Sequence, residues 1–180
     1  EQKIADFYNT VLETEGRNKQ GAEPIKPYLA EINAAKTAAE IADVQLDLIK
    51  NLHMAPFTSF SITTDFKDST KYLLYFGAAE PYLTKDFYAS GTDEQKASYL
   101  KYLKTNLTLA GENVTDGQIE AVYEMEKALS EKQMNPEDAN NIDKFYNIYT
   151  LSDLQAMFPA IDLEKVLQAI GFKQEDRILV

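Results

Sequence analysis

The residues of this chain that could do chemistry are few, and most of them are aromatic or acidic. The densest stretch runs from Tyr82 to Tyr88 and holds three aromatic rings and one carboxylate, Asp86. An aromatic ring buries about 150–250 Å² when it packs, so we expect this stretch to be pinned against helices. Asp86 would then be free to accept backbone N–H groups or to cap a helix. A well-packed loop is the simplest interpretation of these residues on their own.

Glu126 is a second candidate, because it lies on the apolar side of a predicted helix. The capping box at residues 115–118 begins this helix, and its apolar side also carries Ile119, Val122, Tyr123 and Leu129. Burying a carboxylate is unfavourable unless it is paired or hydrogen-bonded. We therefore expect Glu126 to reach an Arg, a Lys or backbone N–H groups. A catalytic acid is the alternative, for which the sequence supplies no partner.

His53 is the one histidine of the sequence, which limits metal and nucleophilic chemistry. A zinc-peptidase helix needs two histidines four residues apart with a Glu between them. A nucleophilic Ser-His-Asp site would need a G-x-S-x-G turn, which is absent. There is no cysteine to form disulfides, bind zinc or attack a substrate. We predict no catalytic residue and no metal ligand here, and expect His53 to cap a helix or interact with its dipole.

Composition excludes further classes of function. The chain has 29 acidic and 18 basic residues and a net charge of −11, which argues against nucleic-acid binding because that depends on Lys and Arg. No apolar run approaches the roughly 18 residues of a membrane span. The 44% of hydrophobic residues suffices for a core, so we expect one domain, residues 1–180. A start at Glu1 without a signal peptide suggests a processed or excised piece.

Amphipathic patterns predict that the fold is mainly α, a multi-helix domain. The first helix carries an apolar stripe at helical spacing, formed by Ile4, Phe7, Tyr8, Val11 and Leu12. We expect Gly16 to end this helix. Capping boxes predict the starts of longer helices at Thr37, Thr92 and Thr115, and shorter helices are predicted to begin near Thr150 and Asp162.

One stretch, at about residues 57–76, departs from the helical pattern. Phe60, Ile62 and Thr64 alternate with polar residues, turn formers follow, and Tyr72–Phe76 is aromatic and β-prone. These features predict one small β-hairpin. Because an isolated hairpin is marginally stable, we expect it to pack on helices or to pair with a strand absent from this chain. The apolar end Arg177–Val180 suggests a chain cut from something longer.

Several short motifs follow one another in order along the chain. Seven residues lie in them: Lys85, Asp86, Phe87, Tyr88, Glu126, Tyr146 and Asn147. Together they resemble the N-terminal region of the neprilysin-like zinc endopeptidases, family M13. Residues 85–88 are similar to the end of that family's L-P-x-R-D-Y-Y segment, with Lys in place of Arg. Glu126 matches the first residue of E-x-x-L, and residues 146–162 resemble Y-N-x-M-T-x-x-x-L followed by P-x-I-D-W.

The resemblance extends over almost all 180 residues. Segments 6–9, 21–24 and 29–32 are similar to the family's first aligned helix and its G-x-x-P-L turn. Residues 57–69 resemble its hairpin, which usually ends in D-x-K-N-S. The chain departs from the pattern at Leu83, where the family has Pro, and at Leu163, where it has Trp. These departures bear on the conformation of the loop more than on membership in the family.

The resemblance implies that the parent protein is a zinc metalloendopeptidase, which hydrolyses small peptides inside a chamber enclosed by two lobes. The family's H-E-x-x-H, E-x-x-x-D and N-A-x-Y motifs do not occur here. No catalytic or zinc residue is therefore carried onto this chain, and the seven positions above are carried as structural motif positions. This fragment would be the non-catalytic helical lobe, without a cofactor of its own and inactive when isolated.

The partners implied by the resemblance are the missing catalytic lobe of the same polypeptide and small peptide substrates. The cysteine-free composition favours a bacterial protein and fits the cytoplasm and export equally. We expect export to the periplasm, cell surface or medium rather than a cytoplasmic location. The alternative is a free-standing helical module that binds peptides or other proteins. Amphipathic helices and an acidic surface are the features that support this alternative.

Overall fold

Helices make up most of the computed structural model, which describes residues 2–172 and 177–180. The mainly α fold predicted from sequence is confirmed. A short 3₁₀ turn at Glu23–Ile25 precedes α3. The helices are α1 (Gln2–Leu12), α2 (Thr14–Gln20), α3 (Lys26–Ala34), α4 (Ala38–Leu52), α5 (Lys85–Ser90), α6 (Asp93–Leu109), α7 (Asp116–Lys132), α8 (Pro136–Ala139), α9 (Ile142–Phe145), α10 (Leu151–Met157) and α11 (Leu163–Ala169).

Capping residues set the starts of the long helices where the sequence predicts them. Thr37, Thr92 and Thr115 each accept a hydrogen bond from the backbone N–H three residues later, and the Glu or Gln there bonds back to the threonine N–H. Such a box satisfies two backbone donors that a helix start leaves free. Thr150 and Asp153 form a fourth box at α10. The long helices therefore begin at positions fixed by local sequence.

The predicted hairpin is present but belongs to a four-stranded sheet. Its strands are β1 (Thr58–Asp65) and β2 (Asp68–Ala78), and two short strands follow, β3 (Ile148–Tyr149) and β4 (Ile178–Leu179). The order is β1-β2-β4-β3, with β4 parallel to β2 and antiparallel to β3. The strand expected to be absent is thus supplied by this chain. The apolar end of the chain is buried in this sheet, with Leu179 0% exposed.

Two apolar clusters hold the elements together. The larger one joins β2 and β4 to α10 and α11, through Leu74, Phe76, Leu154, Leu163, Leu167 and Ile178. The Phe76 ring lies between Phe60 and Phe158, at centroid distances of 5.0 and 5.3 Å. The smaller cluster joins α5, α6 and α7 through Tyr88, Tyr99 and Tyr123. The aromatic stretch around residue 88 is therefore pinned against helices, as its composition predicts.

The N-terminal helices differ from the rest of the fold. Every residue from 2 to 21 is exposed, including the predicted apolar stripe of α1. The expected helix stop at Gly16 is wrong, because α2 runs through that position. Gly21, whose φ of 54° suits glycine, ends α2 instead. Local sequence therefore forms α1, but the described residues do not bury its apolar face.

Candidate functional site

Lys85 fixes the start of the short helix α5 to the end of α7. Its Nζ donates to the backbone oxygen of Gln133 at 2.6 Å and to Asn135 Oδ1 at 2.9 Å. Thr84, rather than Asp86, occupies the N-cap position of α5. Asp86 is exposed in the first turn, where a carboxylate interacts favourably with the helix dipole. The segment is therefore held by its lysine, and the predicted capping role of Asp86 is wrong.

Glu126 is held by two phenols and one backbone amide. Its Oε2 accepts hydrogen bonds from Tyr99 at 2.7 Å and Tyr88 at 3.0 Å, and its Oε1 accepts from the Tyr82 N–H at 3.3 Å. The backbone donor agrees with the sequence prediction, while tyrosine hydroxyls take the place expected for Arg or Lys. We call Tyr82, Tyr88, Tyr99 and Glu126 the Glu126 cluster. It joins the 82–88 segment to α6 and α7.

The pKa values of two phenols in the Glu126 cluster are raised. Burial raises the pKa of Tyr88, and burial together with the neighbouring Glu126 raises the pKa of Tyr99. An ordinary tyrosine is protonated at neutral pH, and the raised pKa keeps these two phenols as donors to the carboxylate further into the alkaline range. A donor that stays protonated holds a carboxylate in place and is a poor general base. Because donors from three segments of this chain bond both carboxylate oxygens, the arrangement suits a structural role for Glu126.

Tyr102 extends the Glu126 cluster by stacking with two of its members, Tyr82 and Tyr99. The rings of Tyr82, Tyr99 and Tyr102 stack at centroid distances of 5.8 to 6.2 Å. The Tyr82 and Tyr102 hydroxyls share a hydrogen bond of 3.0 Å, which raises the pKa of Tyr82. Because Tyr82 is 65% exposed, the stack presents an aromatic edge to its surroundings.

Tyr146 lies in a different cluster, around the buried Asp65. The Tyr146 hydroxyl donates to Asp65 Oδ1 at 2.7 Å, the Lys67 N–H donates to the same oxygen at 2.8 Å, and Arg177 Nη2 donates to Oδ2 at 2.9 Å. These donors, the Tyr146 hydroxyl first, hold the pKa of Asp65 below its ordinary value. We call Asp65, Tyr146 and Arg177 the Asp65 cluster. It ties the hairpin turn to the chain before β3 and to the start of β4.

Asn147 secures the same region through the backbone. Its carbonyl accepts from the Val180 N–H at 2.9 Å, and its side-chain amide donates to the Val180 carbonyl at 3.3 Å. The structure thus places the seven predicted motif positions in two separate groups, one at α5–α7 and one beside β4. Sequence reasoning did not find Asp65 and Arg177, which are 112 residues apart. The available signal was an Asp in the turn of a predicted hairpin.

The described residues do not fit a zinc site. His53 is exposed and is the C-cap of α4, where its N–H donates to the Ile49 carbonyl at 3.1 Å. Within residues 2–172 and 177–180, no three His, Asp or Glu side chains are grouped so that they could hold a metal ion. The same residues include no helix long and apolar enough to cross a membrane.

Comparison with known families decides what this arrangement belongs to. The model of peptidase family M13, in its N-terminal part, matches residues 1–180. The chain belongs to peptidase family M13. This M13 chain is 21% identical over 176 residues to Neprilysin-1 of Trittame loki, a match that covers 86% of this chain and 24% of that protein. It is 26% identical over 129 residues to endothelin-converting enzyme 1 of Cavia porcellus, covering 67% and 17%.

Solved structures share the fold of the M13 chain. The inhibitor-bound zinc metalloprotease Zmp1 of Mycobacterium tuberculosis superposes with a TM-score of 0.82 at 22% identity, covering 98% of this chain and 28% of that one. Zmp1 in its open state gives 0.77 at 22%, covering 93% and 27%. PepO from Lactobacillus rhamnosis gives 0.70 at 16%, covering 90% and 27%. The M13 chain spans about a quarter of the length of the proteins it matches.

Proposed function

We propose that this M13 chain is the non-catalytic helical lobe of a longer zinc metalloendopeptidase that hydrolyses small peptides. The family match over residues 1–180, in a chain about a quarter as long as its relatives, carries the proposal. A single histidine, which caps α4, supports it from the chemical side. The catalytic lobe and its zinc ligands then lie in the remainder of the polypeptide, and residues 1–180 act as one unit that is inactive alone.

The function of this lobe in the proposal is to form one wall of the substrate chamber. A wall must keep its shape while peptides enter and leave, and the two carboxylate clusters supply that rigidity. Lys85 and the Glu126 cluster fix α5 to α6 and α7, while the Asp65 cluster and Asn147 fix β4 to the hairpin. In this proposal the seven motif positions are positioning residues for the wall and do not touch the reacting peptide. The parent enzyme is bacterial and exported.

A peptide-length series tests the proposal on the full-length protein. We expect it to hydrolyse short peptides, to lose activity with a zinc chelator, and to leave folded proteins uncut. The matched control replaces the Glu of its H-E-x-x-H motif with Gln, which should abolish hydrolysis without changing the fold. Cleavage of folded proteins at a similar rate would contradict the walled chamber. A reading frame that ends near Val180, without H-E-x-x-H, would favour the free-standing interaction module.

A further inference from the structure

Two buried polar side chains lie where the chain passes from α4 into β1. Gln45, in the middle of α4, is 1% exposed, and Thr58, the first residue of β1, is 3% exposed. Among the described residues, neither Gln45 Nε2 nor Thr58 Oγ1 has a hydrogen-bond partner. The large majority of buried polar side-chain atoms in folded proteins are paired, either with protein groups or with ordered water. These two atoms therefore point to a ligand at the junction of α4 and β1.

The orientation of the Gln45 amide is fixed by a backbone hydrogen bond. The Phe57 N–H donates to Gln45 Oε1 at 2.9 Å. A backbone N–H only donates, so the oxygen of the amide faces Phe57 and the nitrogen faces elsewhere. Exchanging the two ends of the amide would break this bond and set two donors against each other. Gln45 Nε2 is therefore a donor in need of an acceptor.

The Thr58 hydroxyl belongs to the same polar site. Alternate residues of a strand lie on one face, so Thr58 shares a face of β1 with Phe60, which packs against the larger apolar cluster. Phe57 and Thr58 are consecutive in the chain, and covalent geometry keeps both unpartnered atoms within about 7 Å of the Phe57 nitrogen. A hydroxyl both donates and accepts, so it complements any ligand that the Gln45 amide can hold.

Depth and charge select the chemistry of this ligand. Because Gln45 and Thr58 are almost wholly enclosed, an organic molecule or another side chain could not reach both atoms without displacing their neighbours. A metal cation does not suit Nε2, which is a donor. An anion is disfavoured, since Asp43 and Asp47 flank Gln45 on α4 and the chain carries a net charge of −11. Water is small and neutral, and it both accepts and donates.

We propose that the junction of α4 and β1 holds one buried water molecule, which accepts a hydrogen bond from Gln45 Nε2 and donates one to Thr58 Oγ1. Buried waters make about three hydrogen bonds to polar groups that are otherwise unpaired. The second O–H of this water is left for a backbone carbonyl oxygen, which has two lone pairs. The bridge adds to the bond between Phe57 and Gln45, so the start of the hairpin is fixed to α4 twice. This inference concerns residues 1–180 alone and does not depend on the proposed function.

A crystal structure of the protein, at a resolution that shows ordered water, tests the site directly. We expect one water oxygen within about 3.2 Å of both Gln45 Nε2 and Thr58 Oγ1. A direct hydrogen bond between the two side chains would overturn the proposal. A polar atom of another segment or an anion in this position would overturn it too, and so would a junction without density for any ligand.

Thr58→Val gives an independent test, because a bonded and an unbonded hydroxyl predict changes of opposite sign. Valine keeps the shape of threonine and removes the hydroxyl. Removing a buried polar group that has no partner is neutral or stabilising, whereas removing one partner of a bonded pair leaves the other unsatisfied. We therefore expect the melting temperature of the chain, measured by circular dichroism, to fall by roughly 2–4 °C. An unchanged or higher melting temperature would overturn the water bridge.

Thr64→Val is the matched control for this substitution. Thr64 lies in the same strand but is exposed, so the change reports what valine does in β1 without a buried bond. Valine favours strands slightly, and we expect Thr64→Val to leave the melting temperature unchanged or slightly raised. A fall for Thr58→Val alone supports the buried water. Equal falls for the two variants would overturn it, because the loss would then come from valine in this strand.

Discussion

The Asp65 cluster and the Glu126 cluster hold a carboxylate inside the fold in two different ways. Asp65 is 2% exposed and has an arginine, a phenol and a backbone amide as donors. Glu126 is half-buried and has two phenols and an amide, with no cation among its hydrogen-bond donors. A buried charge without a counter-ion is tolerated when enough dipoles point at it. Of the two carboxylates, the more deeply buried one, Asp65, is the one bonded to a cation.

The largest difference between the clusters should come from Asp65→Asn. The change keeps the shape but leaves Arg177 without its anion and removes a strong acceptor from Tyr146. We expect the melting temperature of the chain to fall by roughly 5–10 °C, measured by circular dichroism. Asp86→Asn, an exposed carboxylate on α5, is the matched control and should change little. If Asp86→Asn lowered the melting temperature as much as Asp65→Asn, the burial and pairing of Asp65 would not explain the loss.

The pH dependence of stability should separate the clusters next. The pKa of Asp65 is lowered in the folded state, so its contribution is present above the ordinary value of 3.8 and is lost as pH falls through the folded pKa. The pKa of Tyr99 is raised, so its contribution is present below 10.0 and is lost as pH rises above that value. The free energy of unfolding is measured in urea across a range of pH. We expect Asp65→Asn to flatten its dependence on pH on the acid side and Tyr99→Phe to flatten it on the alkaline side. A change on the alkaline side for Asp65→Asn, or on the acid side for Tyr99→Phe, would contradict this prediction.

A smaller loss of stability should follow Tyr99→Phe. The change removes the 2.7 Å hydrogen bond to Glu126 and keeps the buried ring. We expect the free energy of unfolding to fall by about 1–2 kcal/mol. A double-mutant cycle with Glu126→Gln should show coupling between the two residues. Strict additivity would mean that the phenol and the carboxylate act independently.

The smallest effect should come from Lys85→Ala. Lys85 bonds a carbonyl and an amide oxygen at the end of α7, and both partners can turn to water when it is lost. We expect a loss of about 0.5–1 kcal/mol in unfolding free energy. Lys85→Arg, which restores the residue usual in the family motif, should keep the contact and serves as the control. If Lys85→Arg is as harmful as Lys85→Ala, the lysine is held by a geometry that arginine cannot reproduce.

Local signals account for what the sequence could predict. Each capping box places a threonine and a Glu, Gln or Asp three residues apart, so a short stretch such as Thr92–Gln95 determines the helix start. The hairpin was visible because alternation and turn residues occupy one continuous stretch. The strands β3 and β4 were not visible, because two residues are too few to show a period.

Long-range pairing explains what the sequence could not predict. Asp65 and Arg177 meet across 112 residues, and no local pattern encodes their contact. For Glu126, its place on an apolar helix face indicated hydrogen-bonded burial, but not that Tyr88 and Tyr99 would be the donors. The apolar face of α1 is a further case, since its stripe predicts burial, whereas Ile4 and Phe7 are 74% and 71% exposed.

Zinc-dependent hydrolysis by residues 1–180, compared with the full-length protein, tests the central claim most directly. Both proteins are incubated with the same short fluorogenic peptide in the presence and absence of added zinc, after circular dichroism has established that each is helical. The account predicts cleavage by the full-length protein and none by residues 1–180. Cleavage by residues 1–180 that needs zinc and is lost in a chelator would contradict the assignment of this M13 chain as a non-catalytic lobe.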